Sequence, residues 1–247
     1  MAIDVVTSSD GSTDGWTVLI PEVGLGDRLW LILVSTALVV ALTAITISAY
    51  FGLLGDPTAE PPAGITYGAA GVGLLAGFGL CWWRLESAER RTAFPLSRPD
   101  RAELVWAVGC VPLGIAGFLA GEWVAGLLGF ELAPFYTYDL TNPATAAGVV
   151  FGAVLVAPLL EELLFRGALI GALLERGWSP LLAATGSIAL FAGYHVFALG
   201  IAGVFAIAGW AIFPTLLRFR FDNLAGAWLL HLLNNVYAYV ILVALAA

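Results

Sequence analysis

The chain has 247 residues, of which 60% are hydrophobic and 11% charged, and its formal net charge is −8. A soluble domain carries roughly 25% charged residues, so too few charges are present to dress a globule in water. The acidic balance also argues against nucleic acid as a partner.

All ten basic residues are Arg, which fits a GC-rich coding background and a prokaryotic source. The apolar residues fall in blocks that approach or exceed the ~20 needed for a helix to cross a bilayer. Helices satisfy their own backbone in lipid. A transmembrane barrel would instead show alternating segments of about ten residues. The fold class expected is therefore all-α, a polytopic bundle of about seven spanning helices.

Residues 1–28 begin with Asp4, Asp10, Asp14 and Glu22, and no base precedes Arg28. A secretory signal starts positive, so this segment reads as an acidic, mostly disordered cytoplasmic tail, with an interfacial patch at Trp16–Ile20. Spanning helices are expected at 29–53, 64–83, 103–129, 145–174, 180–199, 201–217 and 224–246. The break between the fifth and sixth rests on Gly200 and Gly203. The first three form one group over residues 29–130, and the last four a core over 144–246. Gly64, Gly68, Gly73, Gly77, Gly117 and Gly121 supply small residues that let helix backbones approach. Cys81 and Cys110 lie in apolar stretches and read as buried thiols. No internal repeat suggests a transporter built from two halves.

Arg28, the cluster Arg84, Arg90, Arg91, Arg98 and Arg101, then Arg176, then Arg218 and Arg220 all fall on one side of a seven-helix topology. The intervening segments Asp56–Ala63 and Glu131–Pro143 contain no base. The positive-inside rule then predicts a cytoplasmic N-terminus and an outside C-terminus in a prokaryotic cell membrane.

Three helices carry ionisable groups where each costs ~2.5–3.5 kcal/mol on insertion scales. The fourth holds Glu161, Glu162 and Arg166. The fifth holds His195, and the seventh holds His231 and Asn235. Glu162 and Arg166 are four apart and share a face, so they should pair. Glu161 sits ~100° around the helix and is the freer carboxylate. His231 and Asn235 also share a face. Pro158 removes a backbone hydrogen bond one turn before the acidic pair. Counted from the cytoplasmic ends at ~1.5 Å per residue, the polar groups of the three helices reach overlapping depths. Each set has a bland reading: a structural ion pair, or an interhelical hydrogen bond. Glu122, near the outer end of the third helix, reads as able to reach the headgroups. Coincidence of all three sets points to one shared site.

The ordered motifs resemble the CPBP family of CAAX-processing endopeptidases and bacteriocin-processing or immunity proteins. They are Glu161-Glu162-x-x-x-Arg166, Phe191-x-x-x-His195 and His231-x-x-x-Asn235, with Asp222-Asn223-Leu224 leading into the last helix. The resemblance covers about residues 144–240. It implies an intramembrane endopeptidase acting on a membrane-anchored peptide or protein, in which Glu161 activates a water also held by His195, Arg166 holds Glu162, and His231 and Asn235 bind the oxyanion. The alternative mechanism is a zinc enzyme with His195, His231 and Glu161 as ligands; the compact His-Glu-x-x-His motif is absent, and the metal-free reading is adopted. A catalytically idle immunity or scaffold protein, and a proton-coupled transporter, are the rival functions.

Overall fold

The computed structural model describes residues 22–54, 61–132 and 137–246. The Trp16–Ile20 patch, and parts of both loops expected to lie outside the membrane, fall beyond these. The described residues are helical with no strand: a short 3-10 turn at Leu25–Arg28, then α1 (Leu29–Leu54), α2 (Ala63–Arg84), α3 (Ser87–Ala93) and α4 (Arg101–Leu127). There follow α5 (Pro143–Glu175), α6 (Pro180–Tyr194), α7 (Val196–Phe221) and α8 (Ala225–Ala246). Six of these are long and apolar enough to span a membrane, and α6 is the shorter exception. The chain is thus an integral membrane bundle.

The expected fifth helix runs to 199, yet α6 stops at Tyr194. The His195 backbone N–H turns to Ala192 O rather than Phe191 O. Gly200, at φ +67°, then breaks the first turn of α7. At ~1.5 Å per residue, fifteen residues reach roughly 22 Å, short of the ~30 Å apolar layer.

Helix α5 is the centre. In its most apolar window 61% of residues are buried, against 17–33% for the other five long helices. Two stretches of α5 are wound as π-helix, Val150–Val156 and Glu162–Leu169. Pro158 follows the first of them. In the π register its missing N–H would have served the carbonyl of Ala153, five residues back. That carbonyl is left for a partner from another helix.

Small residues set the helix crossings. A Cβ on Gly148 would lie 2.0 Å from Gly64 O, and one on Gly152 would lie 1.8 Å from Tyr67 O, so α2 and α5 touch backbone to backbone. Gly117 and Gly121 do the same for α4 against α7, meeting Gly209 O and Phe205 O. The glycines expected to permit close approach therefore include the contact points. Cys81 and Cys110 are buried free thiols.

Residues 22–28 are not a free tail. The Glu175 carboxylate, at the end of α5, accepts the backbone N–H groups of Val23, Gly24 and Gly26. Arg176 Nε donates to Gly26 O at 2.7 Å, and Leu25 is fully buried. Arg28 closes the same end through a 2.7 Å bond to buried Glu89. Three satisfied backbone donors outweigh the hydrophilic character that suggested disorder.

Candidate active site

α5 contributes Glu161, Glu162 and Arg166, all buried. Glu162 Oε1 is the meeting point. It accepts from Arg166 Nη1 at 3.3 Å and from His231 Nδ1 at 2.8 Å. Its other oxygen, Oε2, is buried without a hydrogen-bond partner among the described residues. Glu161 Oε2 faces the opposite nitrogen of the same imidazole, 3.7 Å from His231 Nε2. The two carboxylates thus address the two ring nitrogens of one histidine, and their ~100° offset on the helix makes that possible.

Arg166 is surrounded. Its guanidinium stacks 4.1 Å from the Phe191 ring centre and 5.9 Å from that of Trp210. Nε donates to Thr215 Oγ1 and Nη2 to Ala211 O, both at 3.4 Å. A delocalised cation is more weakly hydrated than an ammonium and suits an aromatic sandwich. Trp210 and Thr215 were not picked out from the sequence. The available signal was a single hydroxyl directly after Pro214, in the otherwise apolar stretch that precedes Arg218.

His195 sits at the α6–α7 junction, where the backbone turn described above frees Phe191 O. Its Nδ1 takes that carbonyl at 2.8 Å. A carbonyl only accepts, so Nδ1 carries the proton and Nε2 is left as an acceptor. Both imidazoles pack edge-on to Phe191, with ring centres at 4.7 Å for His195 and 6.1 Å for His231. His195 therefore joins the cluster through Phe191, with no direct hydrogen bond to Glu161 among the described residues.

Asn235 lies one turn beyond His231 on α8. Its Nδ2 donates to Ala153 O at 2.8 Å, the carbonyl stranded by Pro158. One of its two N–H bonds is thus committed to α5. The start of α8 is fixed by Asn223, which accepts from Ser97 N at 2.9 Å and donates to buried Glu103 at 2.9 Å. Glu103 also accepts from Gly226 N, at 2.6 Å, as an acidic cap on the helix N-terminus. The motif Asp222-Asn223-Leu224 thereby ties the α8 entry to α4 and to the segment before it.

Among the described residues, no three His, Cys, Asp or Glu side chains are placed to hold one metal ion. The set His195, His231 and Glu161 does not fit a zinc site, and no chemical step is derived through one.

No curated protein and no solved structure matches the chain. A family model does. Its match runs over residues 143–237, which include all six of the side chains singled out from the sequence, and its description is type II CAAX prenyl endopeptidase Rce1-like; that span is similar to this family.

Proposed function

We propose that the chain is an intramembrane endopeptidase that hydrolyses a peptide bond near the C-terminus of a lipid-anchored, CAAX-type substrate, with residues 144–246 as the catalytic core behind three supporting helices. The observation that carries this reading is Glu161 facing His231 Nε2 while Glu162 holds Nδ1. At 3.7 Å the two groups are too far apart for a direct hydrogen bond, so both are left to address a water and the scissile carbonyl.

In this mechanism the water donates one hydrogen to Glu161 and the other to His195 Nε2, leaving an oxygen lone pair for the scissile carbonyl. Glu161 takes the proton as the new C–O bond forms. The electron pair displaced onto the carbonyl oxygen is met by the remaining N–H of Asn235 and by His231, whose charged form Glu162 stabilises. Collapse of the tetrahedral adduct returns that pair and breaks the C–N bond. The leaving amine takes its proton from Glu161. Water and peptide become acid and amine, and the site is restored.

The test is purified protein in detergent with a farnesylated, fluorogenic CAAX peptide. Wild type should cleave it. Glu161→Ala should lose roughly 10²–10⁴-fold in turnover, the range of a general base. Equal cleavage by the variant, or none by wild type, would reduce the cluster to scaffolding.

The same reading places the Arg-rich ends inside the cell. Single cysteines substituted for Arg90, Arg98 and Arg218 should resist a membrane-impermeant thiol reagent in intact cells and react after permeabilisation. Labelling of any one in intact cells overturns the orientation.

A further inference from the structure

Tyr239 is one more step along α8 from His231 and Asn235, and the chemistry above leaves it unused. Residues Tyr237–Ile241 form a π turn. Residues four apart share a helix face, so Tyr239 follows Asn235 along one face of α8. The residue is held at both ring and backbone. It meets the Tyr67 ring edge-on, with centres 5.1 Å apart. The Tyr239 carbonyl accepts the Tyr138 hydroxyl at 2.8 Å. Tyr67 in turn sits at the α2–α5 crossing, where its own carbonyl abuts Gly152. That crossing is one residue from the Ala153 carbonyl which holds Asn235.

The hydroxyls of this tyrosine group are not equivalent. The Tyr138 hydroxyl is spent on the α8 backbone, and burial pushes its pKa up to about 12, so it remains a neutral donor. The Tyr239 hydroxyl makes no hydrogen bond among the described residues, and the residue is only half-buried. Meanwhile the Asn235 amide has given one N–H to Ala153. An oxyanion is ordinarily met by more than one preorganised donor.

We propose that the Tyr239 hydroxyl is a catalytic hydrogen-bond donor to the scissile carbonyl oxygen, completing with Asn235 and His231 the site that receives the developing negative charge. The inference rests on the hydrolytic reading above. Tyr239 transfers no proton; it donates one hydrogen bond as the carbonyl π pair moves onto oxygen, and releases it when the adduct collapses.

The experiment compares wild type, Glu161→Gln, Tyr239→Phe and Tyr138→Phe on the farnesylated fluorogenic CAAX peptide, with thermal stability measured for each. Tyr239→Phe removes one unpartnered oxygen, so the fold should survive it. The expected result is a kcat lowered about 10²–10³-fold with KM within about twofold of wild type and an unchanged melting temperature. Tyr138→Phe, which lacks only the backbone-bound hydroxyl, should keep kcat within about fivefold, since its hydrogen bond is structural. A Tyr239→Phe enzyme within about threefold of wild type in kcat overturns the inference, as does a loss carried by KM or by melting temperature. If Glu161→Gln also cleaves normally, the hydrolytic reading itself has failed. If Glu161→Gln is dead while Tyr239→Phe is active, only the tyrosine's role is lost.

Discussion

Glu162→Gln is expected to lose folded protein and turnover together, whereas Glu161→Gln should lose turnover alone. The difference lies in the partners. Glu162 neutralises Arg166, a fully buried guanidinium, and also fixes His231. Removing one member of a buried pair strands the other, at ~3–5 kcal/mol. The other contacts of Arg166 are two oxygens at 3.4 Å and two aromatic faces, and none of these brings a negative charge. Glu161 holds no cation in place, so its amide analogue leaves the interior balanced. Arg166→Ala should match Glu162→Gln in yield because it strands the other half of the pair. The double variant Glu162→Gln with Arg166→Met removes both charges; it should recover much of the yield and none of the activity. Detergent-phase thermal unfolding and peptide cleavage across the four variants decide the matter. Glu161→Gln proving the most destabilising, and Arg166→Ala the least, would exchange the roles assigned to the two carboxylates.

The second large effect is steric. Gly152→Ala should destabilise the bundle by at least ~3 kcal/mol, the upper part of the usual overpacking range. The new methyl would stand 1.8 Å from the Tyr67 carbonyl, a backbone atom that no rotamer change can remove. Helices α2 and α5 would have to part, and the Ala153–Asn235 bond lies at that seam. Gly109→Ala on α4 is the control, since nothing lies within 4 Å of its Cβ position; there the better helix former should be neutral or stabilising by up to ~1 kcal/mol. Equal unfolding temperatures for the two variants would mean that α2 and α5 do not cross at Gly152.

Much of this architecture is legible from hydropathy and spacing, because a bilayer imposes length and internal hydrogen bonding on every span. The Glu162–Arg166 pairing follows from a four-residue step, and the backbone contacts follow from glycines. What escapes notice comes from tertiary partners. Pro158 reads as a kink in the sequence; its consequence is a free carbonyl five residues back, which matters only because α8 brings Asn235 to it. His195 reads as a residue within a helix, and only the turn at Ala192 shows that its own imidazole replaces a backbone donor. Glu103 and Glu175 look like ordinary acidic residues at helix ends. Glu175 instead collects three backbone N–H groups, and Glu103 one backbone N–H and a side-chain amide, from segments more than a hundred residues away. Trp210 and Thr215 carry no charge, so nothing in the pattern marks them as the walls around a cation.

The Arg166 pair also bears on how the chain is made. Its charged partner lies on the same helix, four residues earlier, while the aromatic and carbonyl groups that finish its surroundings sit on α6 and α7, which follow later in the chain. During synthesis α5 meets lipid before those helices exist. Because acid and base compensate within one turn, α5 can leave the insertion machinery as a unit with one charge cancelled, at less than the cost of two isolated ions. Had the counter-ion been placed on α7, the nascent protein would have had to hold an unpaired guanidinium in the bilayer until some fifty further residues had emerged.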